Sequence, residues 1–173
     1  IMIDKDKIQH LTYELLKALG ENPEREELKE TPRRVANMYA EICSGLEDSP
    51  DNLIKLFDET SHTSDLIEVN NIPVNSICEH HLLPFIGTAN IKYVPKNGVI
   101  LGLSKFARVV DYFSKKPQVQ ERLTYEIAEF LFSKLNAQGV KVTLECTHMC
   151  MTMRGAKANG STTKTVSLFG NIE

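Results

Sequence analysis

Between Asp4 and Leu19 the apolar residues Ile8, Leu11, Leu15 and Leu19 recur every three or four positions, and Gly20 follows as a stop. That spacing predicts an amphipathic helix. Asn22-Pro23 and Thr31-Pro32 each set a capping residue before a proline, predicting a short helix and then a longer one to about Ser44, ahead of Gly45. After Pro50 a short helical piece gives way to the polar run Glu59 to Asp65, a connector. Beyond it the period shortens. Ile72 to Ile77 and Phe85 to Val94 alternate as strands, Pro95-Lys96-Asn97-Gly98 is a turn, and Val99 to Leu103 reads as a third strand. Ser104 is placed to cap a helix carrying Lys105, Phe106, Arg108 and Val109. A second helix is predicted from near Pro117 through Leu123, Ile127, Phe130 and Leu131 to about Leu135. Two strands close the chain, Val140 to Thr152 and Thr162 to Phe169, joined by the small, polar loop Gly155 to Ser161. The pattern divides the chain into a helical region, 1–60, and an α+β region, 61–173.

A length of 173 residues with 42% hydrophobic composition is enough for one real core without staples. The net charge of -3 gives no global basic field, so no nucleic-acid partner is expected and any anion site must be local. The N-terminal IMIDKDKIQH lacks the apolar run of a signal peptide, and no stretch is long enough to span a bilayer. The expectation is a cytoplasmic protein with no membrane partner. Four cysteines in that compartment stay reduced, which favours metal ligation or burial over disulfides.

One short stretch, Cys78-Glu79-His80-His81-Leu82-Leu83-Pro84, concentrates metal-binding chemistry. Cys78 and His81 stand in a C-x-x-H relation, so a turn can bring sulfur and imidazole nitrogen onto one tetrahedral ion, a mixed set that Zn2+ accepts. His80 is left over, suited to proton transfer because imidazole titrates nearest to neutral pH. In the strand predicted from Val140, a period of two puts Val142, Leu144, Cys146, His148 and Cys150 on one face. Cys146 and Cys150 are about 13 Å apart on a regular strand, at roughly 3.3 Å per residue, so only one of them can join Cys78 and His81. Three protein ligands then leave a fourth position for water, as in catalytic zinc. The alternative is that all of these thiols are small buried hydrophobes. No C-x-x-C or H-x-E occurs, which argues against a zinc ribbon and a nucleobase deaminase.

A separate set of residues concerns anions. Lys105 and Arg108 share the start of one predicted helix, and Arg154 follows the candidate metal strand. Arg33 and Arg34 sit in the first turn of another helix, where a cation needs an acid such as Glu30 or a bound anion nearby. Neither a P-loop nor a dinucleotide-binding glycine motif is present, so a nucleotide must be held by side chains.

CEHHLLP, GLSKFARVV, PQVQERLT and THMCMTMRG occur in this order between TPRRVANMY and STTKTVSLFG, and together they resemble GTP cyclohydrolase I. The resemblance implies a tunnelling fold: an antiparallel four-stranded sheet backed by two helices, preceded by a helical region. Subunits of such proteins join sheets into pentameric rings, and two rings make a homodecamer. Carried over by motif position, the zinc ligands are Cys78, His81 and Cys150, with Cys146 a bystander. His148 and His80 are the implied acid–base pair, and Glu121 with Gln120 is implied to read guanine. Ser104, Lys105, Arg108 and Arg154 are implied to face ribose and triphosphate, and Arg34 to reach the phosphates of a neighbouring subunit. The implied activity is zinc-dependent conversion of GTP to 7,8-dihydroneopterin triphosphate and formate, at the start of folate or tetrahydrobiopterin synthesis. Two alternatives are a non-catalytic zinc- or nucleotide-binding module and another tunnelling-fold pterin or deazapurine enzyme. Two departures accompany the resemblance. The sequence given ends with LFGNIE, where relatives commonly continue into a helix that bears on ring packing, and Asn37 stands where a second basic residue would be unsurprising.

Overall fold

The computed structural model describes residues 2–47, 49–58 and 65–172. Two compact units divide it, Ile1–Asp48 and Ser49–Glu173. In the first, helix α1 (Lys5–Ala18) starts where the Asp4 side chain accepts from the Lys7 amide, and Gly20 leaves it at φ +87°. Only a residue without a side chain takes that conformation cheaply. The short helix expected after Asn22-Pro23 does not form. Asn22 accepts from the Glu24 amide, but linked turns follow instead of a helix, because Glu24 to Glu27 offer no apolar face to bury. Helix α2 (Thr31–Ile42) begins at Thr31 itself, with Glu30 as the preceding residue and Pro32 and Ala36 buried. Glu30 supplies the acid that Arg33 needs, at 2.6 Å.

In the second unit a 3-10 turn (Pro50–Leu53) leads to β1 (Leu56–Asp58), β2 (Ile67–Cys78), β3 (Pro84–Val94) and β4 (Val99–Leu101). Then follow α3 (Leu103–Ser114), β5 (Pro117–Gln118), α4 (Gln120–Leu135), β6 (Gly139–His148), α5 (Met149–Thr152) and β7 (Thr163–Gly170). The connector Glu59 to Ser64 lies outside the described residues. The main sheet has the order β5-β2-β3-β6-β7. Its four long strands are antiparallel and β5 is a two-residue parallel addition at the β2 edge. The third strand of the sequence pattern, β4, is shorter than expected and pairs with β1 in a separate ribbon.

One face of the sheet carries the core. Val74, Phe85, Ile91, Val140, Val142 and Leu144 are fully buried with Phe106, Val109 and Val110 of α3 and with Leu123, Ile127 and Leu131 of α4. Truncating one such leucine to alanine costs about 2–5 kcal/mol. This is the tunnelling fold, four antiparallel strands backed by two helices. Gly87 is required at the β3–β6 crossing, because a Cβ there would lie 2.0 Å from the Glu145 carbonyl oxygen.

Two local differences bear on the site. Ser104 does not cap α3: the cap position falls two residues earlier, at Gly102, and Ser104 lies inside the helix. The strand from Val140 stops at His148 rather than Thr152. β3 supplies Phe85 opposite His148, but the next residue is Pro84, which has no amide to continue the ladder. The chain released there coils into α5, which carries Cys150.

Candidate metal centre and active site

The end of β2 folds into a tight turn. The Cys78 carbonyl accepts from the amides of His81 at 3.3 Å and Leu82 at 2.8 Å, and the Cys78 amide donates to Leu83 at 2.8 Å. Leu82 takes a left-handed φ of +54°, at a cost of about 1–2 kcal/mol for a residue with a Cβ. This turn sets Cys78 and His81 on one side, while α5 brings Cys150 across from β6. The Sγ atoms of Cys78 and Cys150 and a ring nitrogen of His81 all lie within 4.8 Å of one another. A tetrahedral zinc with bonds of 2.0–2.3 Å holds its donors roughly 3.3–3.8 Å apart, so small side-chain rotations complete the fit. Cys146 is outside the group. It lies on β6 opposite Gly87, 1% exposed, and burial pushes its thiol up to about 12. The thiol of Cys150 is also raised, first by burial and then by the neighbouring Cys78.

Beside the metal group is a cavity of about 210 Å³ lined by Cys78, His80, Gln120, Glu121, His148 and Cys150 among others. His148 stacks on Phe85 with ring centroids 4.7 Å apart and planes 9° from parallel. Burial lowers its pKa, and the Glu121 carboxylate partly offsets that. His148 Nε2 lies 2.8 Å from Gln120 Oε1. Gln120 is itself 1% exposed, and its Nε2 donates to Leu144 O, Thr163 O and Thr165 Oγ1 at 3.2, 2.9 and 3.0 Å. Its amide therefore faces the protein at both ends, unlike that of a side chain free to read a base. Glu121, next along, is exposed in the first turn of α4. His80 is exposed at the rim, its ring 3.9 Å from Cys78 Sγ and from Glu79 Oε1.

The cations are dispersed. Lys105 and Arg108 lie on the first turns of α3 and Arg154 follows α5, and none has an ion pair among the described residues. Arg34 is exposed on α2 in the first unit. Pattern reading missed Arg122 and Glu79. Arg122 donates to Glu79, to Gln118 Oε1 at 2.9 Å and to Pro117 O at 3.2 Å, tying the metal turn to α4. Their separation of 43 residues left no local signal.

Comparison with known proteins places this arrangement. A sequence profile for GTP cyclohydrolase I matches residues 8–173. The chain belongs to the GTP cyclohydrolase I family. The GTP cyclohydrolase 1 of Caldanaerobacter subterraneus subsp. tengcongensis is 55% identical over 169 residues, covering 98% of this chain and 89% of that protein. The Clostridioides difficile GTP cyclohydrolase 1 is 52% identical over 172 residues, covering 99% and 90%. A structural neighbour, the archaeosine synthase QueF-Like in the apo form, aligns at a TM-score of 0.51 with 20% identity, over 65% of this chain and 100% of that one. That likeness extends to the fold alone.

Proposed function

We propose that the chain opens the guanine of GTP at C8, releases formate and rearranges the remainder to 7,8-dihydroneopterin triphosphate, the first step of pterin biosynthesis. The observation that carries this reading is the grouping of three metal donors beside a small cavity lined by a half-buried histidine and an exposed carboxylate, in a chain of this family. Zn2+ is the ion that suits two thiolates and one imidazole, and at that position it supplies Lewis acidity and activates water. Cys78, His81 and Cys150 hold it.

The protein's own groups do the rest. His148 delivers a proton to the purine nitrogen adjacent to C8 as the ring opens, and burial, by lowering its pKa, makes the protonated ring the stronger acid. Glu121 accepts from N1–H and the 2-amino group of guanine, an edge that adenine does not offer. Lys105, Arg108 and Arg154 neutralise the triphosphate, with Arg34 contributed by a neighbouring subunit. His80 and Ser104 serve the sugar rearrangement that closes the new ring.

The same reading makes the protein a cytoplasmic homodecamer of two pentameric rings. β7 is an edge strand with Val166 and Leu168 exposed, a surface suited to a second copy's sheet. No described helix is long and apolar enough to cross a membrane. The test is incubation of the purified zinc-loaded protein with GTP, followed by measurement of formate and of a fluorescent pterin after oxidation. Appearance of both in equal amounts is expected, and GTP returned intact contradicts the reading.

A further inference from the structure

The hydrogen bonds around Gln120 admit one arrangement of protons. Leu144 O and Thr163 O are backbone carbonyls and can only accept, so the amide NH2 must face them and Oε1 must face His148. The hydroxyls agree. Thr124 gives its single proton to the Gln120 carbonyl at 2.7 Å, so in the 2.6 Å contact between Thr124 and Thr165 it is Thr165 that donates. Thr165 Oγ1 is then free to accept from Gln120 Nε2. Turning the amide over would set Oε1 against two carbonyls inside the protein and Nε2 against the ring, losing two bonds at a residue 1% exposed.

Since Oε1 can only accept, His148 Nε2 carries a proton. Among the described residues Nδ1 has no hydrogen-bond partner, and Phe85 stacked on the ring face limits its rotation. We propose that Gln120 is a positioning residue for His148, fixing the ring with Nε2 protonated and leaving Nδ1 as the nitrogen that exchanges a proton with substrate. Gln120 therefore does not read the base; that task is left to Glu121. The inference rests on His148 as the proton-transfer group of the proposed reaction.

Two measurements test it. In zinc-loaded protein labelled with 15N-histidine, the ring nitrogens of His148 are identified as the signals missing from a His148→Asn variant. The neutral ring is expected to show a protonated Nε2 and a bare Nδ1. The opposite tautomer overturns the proposal, and this result needs no Gln120 variant to fold. Gln120→Met, made in parallel and checked for zinc content and melting temperature, is expected to hold KM for GTP within about threefold. Its kcat is expected to fall by about 10- to 100-fold, part of the roughly 10²–10⁴ that a positioned acid–base group supplies. A raised KM with kcat preserved makes Gln120 a base reader and overturns the assignment, as does a variant with both constants unchanged. If instead His148→Asn releases formate at the parent rate, the proton-transfer role of His148 has failed, while the ring signals still report separately on what Gln120 does.

Discussion

Arg122 donates to Glu79 and so fastens the residue that follows Cys78 to the first turn of α4. Behind it, Gln118 accepts from Arg122 at 2.9 Å and donates to Phe113 O at 3.1 Å and Glu126 Oε2 at 2.8 Å, while the Glu79 amide donates to Gln118 O at 3.0 Å. The metal turn is thus braced from the helix that also carries Gln120 and Glu121.

Arg122→Met removes that brace. The pair is partly solvent-exposed, 41% and 33%, so its direct contribution to stability is about 1 kcal/mol or less. Metal affinity is the sensitive quantity: groups that hold ligands in place typically contribute about 10- to 100-fold. Competition with a zinc chelator is expected to show a loss of that size with little change in melting temperature. Unchanged affinity sets the clamp aside.

Glu121→Gln keeps the shape of the side chain but turns one acceptor into a donor. An unpaired edge costs about 1–3 kcal/mol, so KM for GTP is expected to rise by about 10- to 100-fold while zinc content persists. ATP is expected to compete poorly with GTP in the parent. Equal competition by ATP, or an unaltered KM, moves guanine recognition elsewhere.

Thiol reactivity separates the four cysteines. Burial raises the pKa of Cys43 and pushes that of Cys146 up to about 12, so neither forms much thiolate at neutral or mildly alkaline pH. Iodoacetamide is expected to leave both unlabelled in the folded protein. Cys78 and Cys150 are expected to be labelled only once a chelator has removed the metal. Because the Cys150 thiol is raised, binding the metal must displace a proton, and affinity is expected to weaken as pH falls. Labelling of Cys146 in native protein contradicts its burial.

Gly87→Ala tests the strand crossing beneath the site. The added methyl meets backbone atoms of Glu145 and Cys146 at 2.0–2.8 Å, and backbone cannot step aside as a flexible side chain can. The expected loss is at or above the roughly 1–3 kcal/mol of an overpacked core. A melting temperature equal to the parent's shows that β3 and β6 have room to separate.

What the sequence disclosed depended on how local each signal was. The helix ending at Gly20, the strand from Phe85 to Val94 and the C-x-x-H turn are written in neighbouring residues, and all three stand in the structure. The end of β6 was hidden because it depends on Pro84, a residue on another strand. Cys150 joins the metal group from a helical turn rather than from the strand face on which the period of two had set it. The inward-facing amide of Gln120 depends on acceptors 24 and 43 positions away, which no spacing rule connects. Ser104 suited a cap, but Gly102 holds that position and leaves Ser104 two residues too late to serve.

Cys78, His81 and Cys150 are proposed to hold the metal on which the opening of GTP depends. That assignment is tested most directly by measuring zinc per subunit and formate released per GTP in the same preparations of parent, Cys150→Ser and Cys146→Ser. The parent and Cys146→Ser are expected to hold one zinc each and release formate, and Cys150→Ser to lose both together. Zinc-free Cys146→Ser protein, or Cys150→Ser protein that still releases formate, contradicts this assignment of the metal ligands.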